Sequence, residues 1–122
     1  MRTHENLDVW KKSVEFVVTV YKVTDSFPSE EKFGLTSQIR RASVSIPANI
    51  AEGAARSSEK EFLHFLSISQ GSASEVETVL LIGLRLNFLD EETYFDLRND
   101  LNEIGRMLSG LRKHLLIKNN PR

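Results

Sequence analysis

Three groups of side chains in this sequence have types and spacings that could do chemistry. The first is Glu61-Phe62-Leu63-His64, a Glu-x-x-His pair that places a carboxylate and an imidazole on one helical face, as di-iron bundles do. That chemistry needs a second such pair and two further inward glutamates, and neither His4 nor His114 has a glutamate three residues before it. Glu61 also stands three residues after Ser58, in the position of a helix capping box. The second group is the acids Glu52, Glu75 and Glu77, in the second and third helices, which read as solvated or paired charges rather than acid–base catalysts, and no carboxylate pair interrupts the apolar stripes of the first and last helices. With no cysteine and no glycine-rich phosphate loop after a strand, the chain is expected to be no enzyme, with neither metal nor cofactor.

The third group is basic. Arg40 and Arg41 are adjacent, and Arg56 and Lys60 flank a turn further on. Arginine presents a planar fork of donors that matches phosphate oxygens, so these four are the candidate nucleic-acid contacts. Net charge is only −1, which argues against a polycation, but the charge is unevenly spread along the chain. Residues 32–56 hold Lys32, Arg40, Arg41 and Arg56 against Glu52, whereas residues 90–103 hold six acids against Arg98. A ring of identical subunits would repeat a small basic set and multiply its field.

The elements that must position these groups are helices. Leu7, Trp10, Val14, Val17, Tyr21 and Thr24 recur at steps of three and four and predict a helix over about 6–26. Ser29, followed by Glu30 and Glu31, reads as the start of a second, over about 30–54, with a core stripe of Leu35, Ile39, Ala42, Ile46 and Ile50. Ser58 caps a third over about 58–87, and Asp90 a fourth over about 90–117, whose apolar positions run from Tyr94 to Leu115. Residues 119–122 read as a frayed tail. Long helices with short connections predict an all-α, antiparallel up-down-up-down four-helix bundle forming a single domain over residues 1–122. Without an apolar leader or a stretch of roughly 20 apolar residues, the expectation is a cytoplasmic protein that does not span a membrane.

The second helix carries Pro47, which removes a hydrogen bond to Ser43 and predicts a bend, with Ser43 or Ser45 placed to recover freed carbonyls. It also has apolar residues away from its core stripe. Val44, Ser45, Ala48 and Ala51 are the candidate surface for meeting another subunit, and the alternative is that this helix is the most buried of the four. In the third helix, the run SISQGSASE is small enough to admit a close approach by the second. Each interior glycine there costs about 1 kcal/mol relative to alanine, so something must offset it.

The strings FPSEEKFGLTSQIRRASVSIPANIAEGAARSS and FLHFLSISQGSASEVET resemble the four-helix-bundle proteins encoded by intervening sequences in bacterial 23S ribosomal RNA genes. More distantly, the chain is similar to the accessory variability protein of diversity-generating retroelements. The resemblance runs from about Leu7 to Leu115 and implies a ring-shaped homopentamer, with a positively charged channel in the retroelement relative. It also implies nucleic-acid binding, with Arg40, Arg41 and Arg56 as the matched basic positions. The expected function is therefore a non-catalytic, oligomeric adaptor that binds RNA or DNA. The alternative is a protein–protein scaffold that docks a partner such as a polymerase on the ring.

Overall fold

The structure, a computed structural model, describes residues 3–119. Four α-helices make up nearly all of it: α1 (Asp8–Thr24), α2 (Leu35–Ala54), α3 (Glu59–Arg85) and α4 (Glu91–Asn119). Short 3-10 turns, Thr3–Asn6 and Ser29–Glu31, precede α1 and α2. Of the tail predicted over residues 119–122, Asn119 belongs to α4 and residues 120–122 lie outside the described residues.

Side-chain contacts fix the antiparallel order. From Gln38 through Ser45 to Ile46 along α2, the partners on α3 run backwards, from Glu75 through Ser72 to Ser69. Between α3 and α4, Glu59 pairs with Lys118, Gln70 with Ser109, and Glu77 with Arg98, again in opposite directions. The core between the helices is closed by Val20, Ile46, Ile50, Leu66, Val76, Ile104 and Leu108, all with no measurable exposure. Burying each such side chain contributes about 1.5–3 kcal/mol, which is what holds four solvent-facing helices together.

Helix ends follow their capping chemistry, with one difference from expectation. Ser58 Oγ accepts from Glu61 N at 3.1 Å, as the capping box predicts, and Asp90 Oδ1 accepts from Thr93 N at 2.8 Å. Those bonds to Thr93 hold the Asp90 carboxyl below its ordinary pKa. At its C-terminus α3 closes with Asn87 in the left-handed region (φ 63°), Phe88 N donating to Gly83 O at 2.8 Å and Asn87 N to Leu84 O at 3.0 Å. Helix α2, however, begins at Leu35 rather than near residue 30. Ser29 starts only a 3-10 turn, and the cap of α2 is the side chain of Glu31, whose Oε1 accepts from Leu35 N at 2.9 Å. Gly34 makes room for it, since a Cβ there would stand 2.6 Å from that same oxygen.

The stripe predicted for α1 is displaced. Its buried face is Val9, Ser13, Phe16, Val20 and Thr24, while Val14 and Tyr21 point outward, 36% and 42% exposed. This helix carries two apolar sides, and the one with the bulky Phe16 goes inward. Helix α2 continues through Pro47 without interruption, and Pro47 is buried. The carbonyls just before Pro47 accept side-chain bonds, Asn49 Nδ2 donating to Ser45 O at 2.8 Å and Ser69 Oγ, from α3, to Ile46 O at 2.9 Å, but neither is the Ser43 carbonyl that Pro47 frees. Ser43 instead donates to Arg40 O.

The small residues divide into two kinds. Ser69 is buried facing α2, and a Cβ on Gly53 would lie 2.8 Å from Phe65 Cβ and 2.9 Å from Phe62 Cδ1. Gly71, by contrast, has open space where a Cβ would be. Gly53→Ala is therefore expected to lower stability by about 1–3 kcal/mol through overpacking, and Gly71→Ala to raise it by up to about 1 kcal/mol, as read by urea denaturation. On acidification, the contribution of the Asp90 cap is complete above the ordinary carboxylate pKa and disappears as pH falls through the lower folded value. A carbon-detected NMR titration should find Asp90 titrating below a model aspartate, with the Thr93 amide shift following it.

Candidate nucleic-acid interface

The four basic residues do not form one cluster. Arg40 and Arg41 lie in the first half of α2, and Arg56 and Lys60 at the turn into α3, about 20 Å further along at 1.5 Å per helical residue. Each has a different environment.

Arg40 does not project freely, because α1 ends beside it. Its Nε donates to Thr24 Oγ1 at 2.8 Å, and its Nη2 reaches Tyr21 O and Asp25 Oδ1, each at 3.3 Å. The guanidinium carbon stands 4.6 Å from the centre of the Tyr21 ring. Thr24, which is buried, donates its own hydroxyl to Val20 O at 2.8 Å. Arg40 is thus a cation at the negative end of the α1 dipole, satisfying a last-turn carbonyl that the helix leaves open. Arg56 is partly engaged as well, with Nη2 3.3 Å from Glu52 Oε2 and its guanidinium 4.9 Å from the Phe65 ring centre.

Arg41 and Lys60 differ from these. Both are exposed, and neither has an ion-pair or hydrogen-bond partner among the described residues. Arg41 lines an open groove of about 500 Å³ between α2 and α3, together with Phe33, Gln38, Ser45, Ser72 and Glu75. Lys60 edges a second groove of about 430 Å³ between α3 and α4, floored by Leu63, Phe65 and Leu116 and also lined by Arg112. The sequence pattern does not single out Phe33 or Arg112 as site residues. Phe33 falls in the segment that reads as a helix start, and Arg112 in the positive charge that suits the α4 C-terminus.

Of the expected subunit-contact residues, Val44 (41% exposed) and Ala48 face outward, and Ala51 is half-buried. Ser45 belongs to the α2–α3 seam, where its Oγ accepts from Ser72 Oγ at 2.8 Å and from Asn49 Nδ2 at 2.9 Å. The register set by Arg40 against Tyr21 and Thr24 brings Val44 and Ala48 level with Val18 and Val14 on antiparallel α1. Val14 and Val18 on α1 and Val44 and Ala48 on α2 are exposed apolar side chains. Glu61 is occupied with Ser58, and His64 is exposed with its ring against the edge of Phe65. No cluster of three or more potential metal ligands occurs among the described residues, and none of their helices is long and apolar enough to cross a membrane.

Fold and surface together define a small antiparallel four-helix bundle with cations on two grooves that are unpaired among the described residues. Residues 5–110 match the family described as 23S rRNA-intervening sequence protein, and the chain belongs to that family. Among solved structures, it is similar to a protein of unknown function from the S23 ribosomal protein family of Bacteroides thetaiotaomicron. The two share 32% identity with a TM-score of 0.78, over 86% of this chain and 98% of that one. No curated protein matches the chain.

The contrast between the adjacent arginines gives a direct expectation. Arg40→Ala should cost about 1–3 kcal/mol by stranding the α1 end and the Thr24 hydroxyl, lowering the melting temperature by several degrees. Arg41→Ala should leave the melting temperature within about 2 °C of the parent, since surface changes away from such contacts stay within about 0.5 kcal/mol. Differential scanning calorimetry of the two variants checks both.

Proposed function

We propose that the protein is a non-catalytic adaptor that binds nucleic acid, RNA above all, in the cytoplasm and acts as a homo-oligomer. The observation that carries this reading is Arg41, an exposed guanidinium without a partner among the described residues, standing on the outer side of α2 a single turn from Val44. A side chain with five fixed donors left open to solvent suits phosphate oxygens, and one such group per subunit gains strength only when copies are arrayed. Lys60 adds a second contact point, while Arg40 and Arg56 serve the bundle. Family membership agrees with this reading in name, through its tie to 23S rRNA intervening sequences.

Self-association rests on the exposed apolar side chains Val14, Val18, Tyr21, Val44 and Ala48, which would form one strip where α1 lies along α2. Val14, Val18, Tyr21 and Val44 are between 36% and 49% exposed, so a second copy has apolar area to cover. A ring of five, which the family resemblance implies, would bring five copies of Arg41 to one surface. The same strip also favours the scaffold alternative, in which a protein partner docks on the assembled ring.

Binding of labelled RNA followed by fluorescence polarisation should weaken steeply with added salt, because each neutralised phosphate releases a counterion. Arg41→Ala should reduce the slope of log affinity against log salt by about one for each phosphate that is no longer neutralised, whatever the RNA sequence. An unchanged slope, or no binding at low salt, removes the reading. Val44→Glu should reduce the mass measured by light scattering to that of one chain while preserving helicity.

A further inference from the structure

We propose that the groove between the first half of α2 and the middle of α3 is a site for unpaired nucleotides. A base stacks on Phe33, its edge meets Glu75 and Gln38, and the adjoining phosphate rests on Arg41. This deepens the nucleic-acid reading above and depends on it.

Phe33 is 89% exposed, more than any other large apolar side chain among the described residues. It lies in the short connection between the Ser29–Glu31 turn and α2, beside Lys32, whose Nζ is 5.5 Å from the ring centre. Leaving a benzyl group in water forfeits about 2 kcal/mol of burial, and nothing among the described residues covers it. The groove it borders has about 500 Å³, within the usual range for small-ligand sites of roughly 300–1,000 Å³. Apart from Gly34 and Ala42, the rest of its lining is polar or charged: Ser37, Gln38, Arg41, Ser45, Ser72 and Glu75. An amphipathic protein helix needs a run of apolar pockets, and this groove offers a single ring with hydrogen-bonding groups around it. A flat π-face with a polar edge is the chemistry of a nucleobase, and aromatic rings next to cations are how single strands are held.

Charge fixes the direction of the strand. Glu75 puts a carboxylate on the α3 wall, with Oε2 3.5 Å from Gln38 Nε2, so phosphates are repelled from that side. Lys32 and Arg41 both belong to the α2 side, so the backbone runs there and the base edge points to Glu75. An ionised carboxylate only accepts hydrogen bonds. It therefore favours bases that present an amino group, such as cytosine, over uracil, whose single N–H is flanked by two carbonyls. Paired bases have neither face nor edge available, so a duplex reaches Arg41 but not Phe33.

The test uses short end-labelled oligo(rC), oligo(rU), oligo(dC) and an RNA duplex in polarisation assays with the whole protein. The groove predicts tighter binding of oligo(rC) than of oligo(rU). Phe33→Ala should weaken single-strand binding about tenfold, with the salt slope unchanged because stacking releases no counterions, and leave duplex binding as it was. Glu75→Gln should erase the preference for cytosine. Tighter binding of oligo(rC) than oligo(dC) supports the site and assigns it to RNA; equal binding supports it for unpaired nucleotides of either sugar. Duplex binding with no effect of Phe33→Ala on single strands overturns the groove and leaves the adaptor reading standing. No binding of any nucleic acid overturns both.

Discussion

The close seam between α2 and α3 is the constraint on which the rest of the molecule depends. A helix with proline in its interior loses a hydrogen bond and would cost about 3 kcal/mol on its own. Here its inner side is filled by a neighbour whose contacting residues are small. Ser69 donates to Ile46 O one residue before Pro47, Ser72 meets Ser45, and Gly53 lets the Phe62 and Phe65 turn come within contact of the α2 backbone. These interactions tie both halves of α2 to one rigid partner. They occupy the inner side of α2 from Ser45 to Gly53, while the side chains it turns outward, Val44 and Ala48 among them, are left exposed.

That outer side combines two properties seldom found together on a solvated helix. Val44 and Ala48 face outward, as Val14 and Val18 do on α1, and Arg41 is exposed one turn before Val44. Arg40, one residue earlier, has the opposite role because a rotation of about 100° turns it toward the end of α1. There it joins Thr24, Tyr21 and Asp25 and fixes the angle at which α1 meets α2. Adjacent arginines thus divide the labour: one orders the bundle, the other faces outward. The same division recurs at the α2–α3 turn, where Arg56 is held by Glu52 and Phe65 while Lys60 is unpaired among the described residues.

Much of the fold was legible because it depends on local patterns. The stripe Ile39, Ala42, Ile46, Ile50, the Ser58 and Asp90 caps and the α3 end at Asn87 are all written in spacings of three and four or in capping residues, and all stand where those patterns put them. The inward face of α1 was not legible, because Val9, Phe16 and Val20 compete with Val14, Val17 and Tyr21 for the same role and only the shape of the neighbours decides. The start of α2 is hidden because Glu31 caps from four residues away through space made by Gly34, a geometry that resembles a helix already under way. The candidate site was legible in residue type only. Sequence identified the arginines, but which of them is spent on Thr24 or Glu52, and that Phe33 lies beside Arg41, are facts of tertiary placement.

Hydrogen–deuterium exchange with and without an RNA oligonucleotide tests most directly whether the outward side of α2 is the working surface. Added RNA should slow exchange in peptides spanning the Lys32–Gly34 connection and the first turns of α2, and leave the acidic start of α4 unchanged. Slowing confined to α4, or absent everywhere at RNA concentrations that saturate binding, would contradict the account.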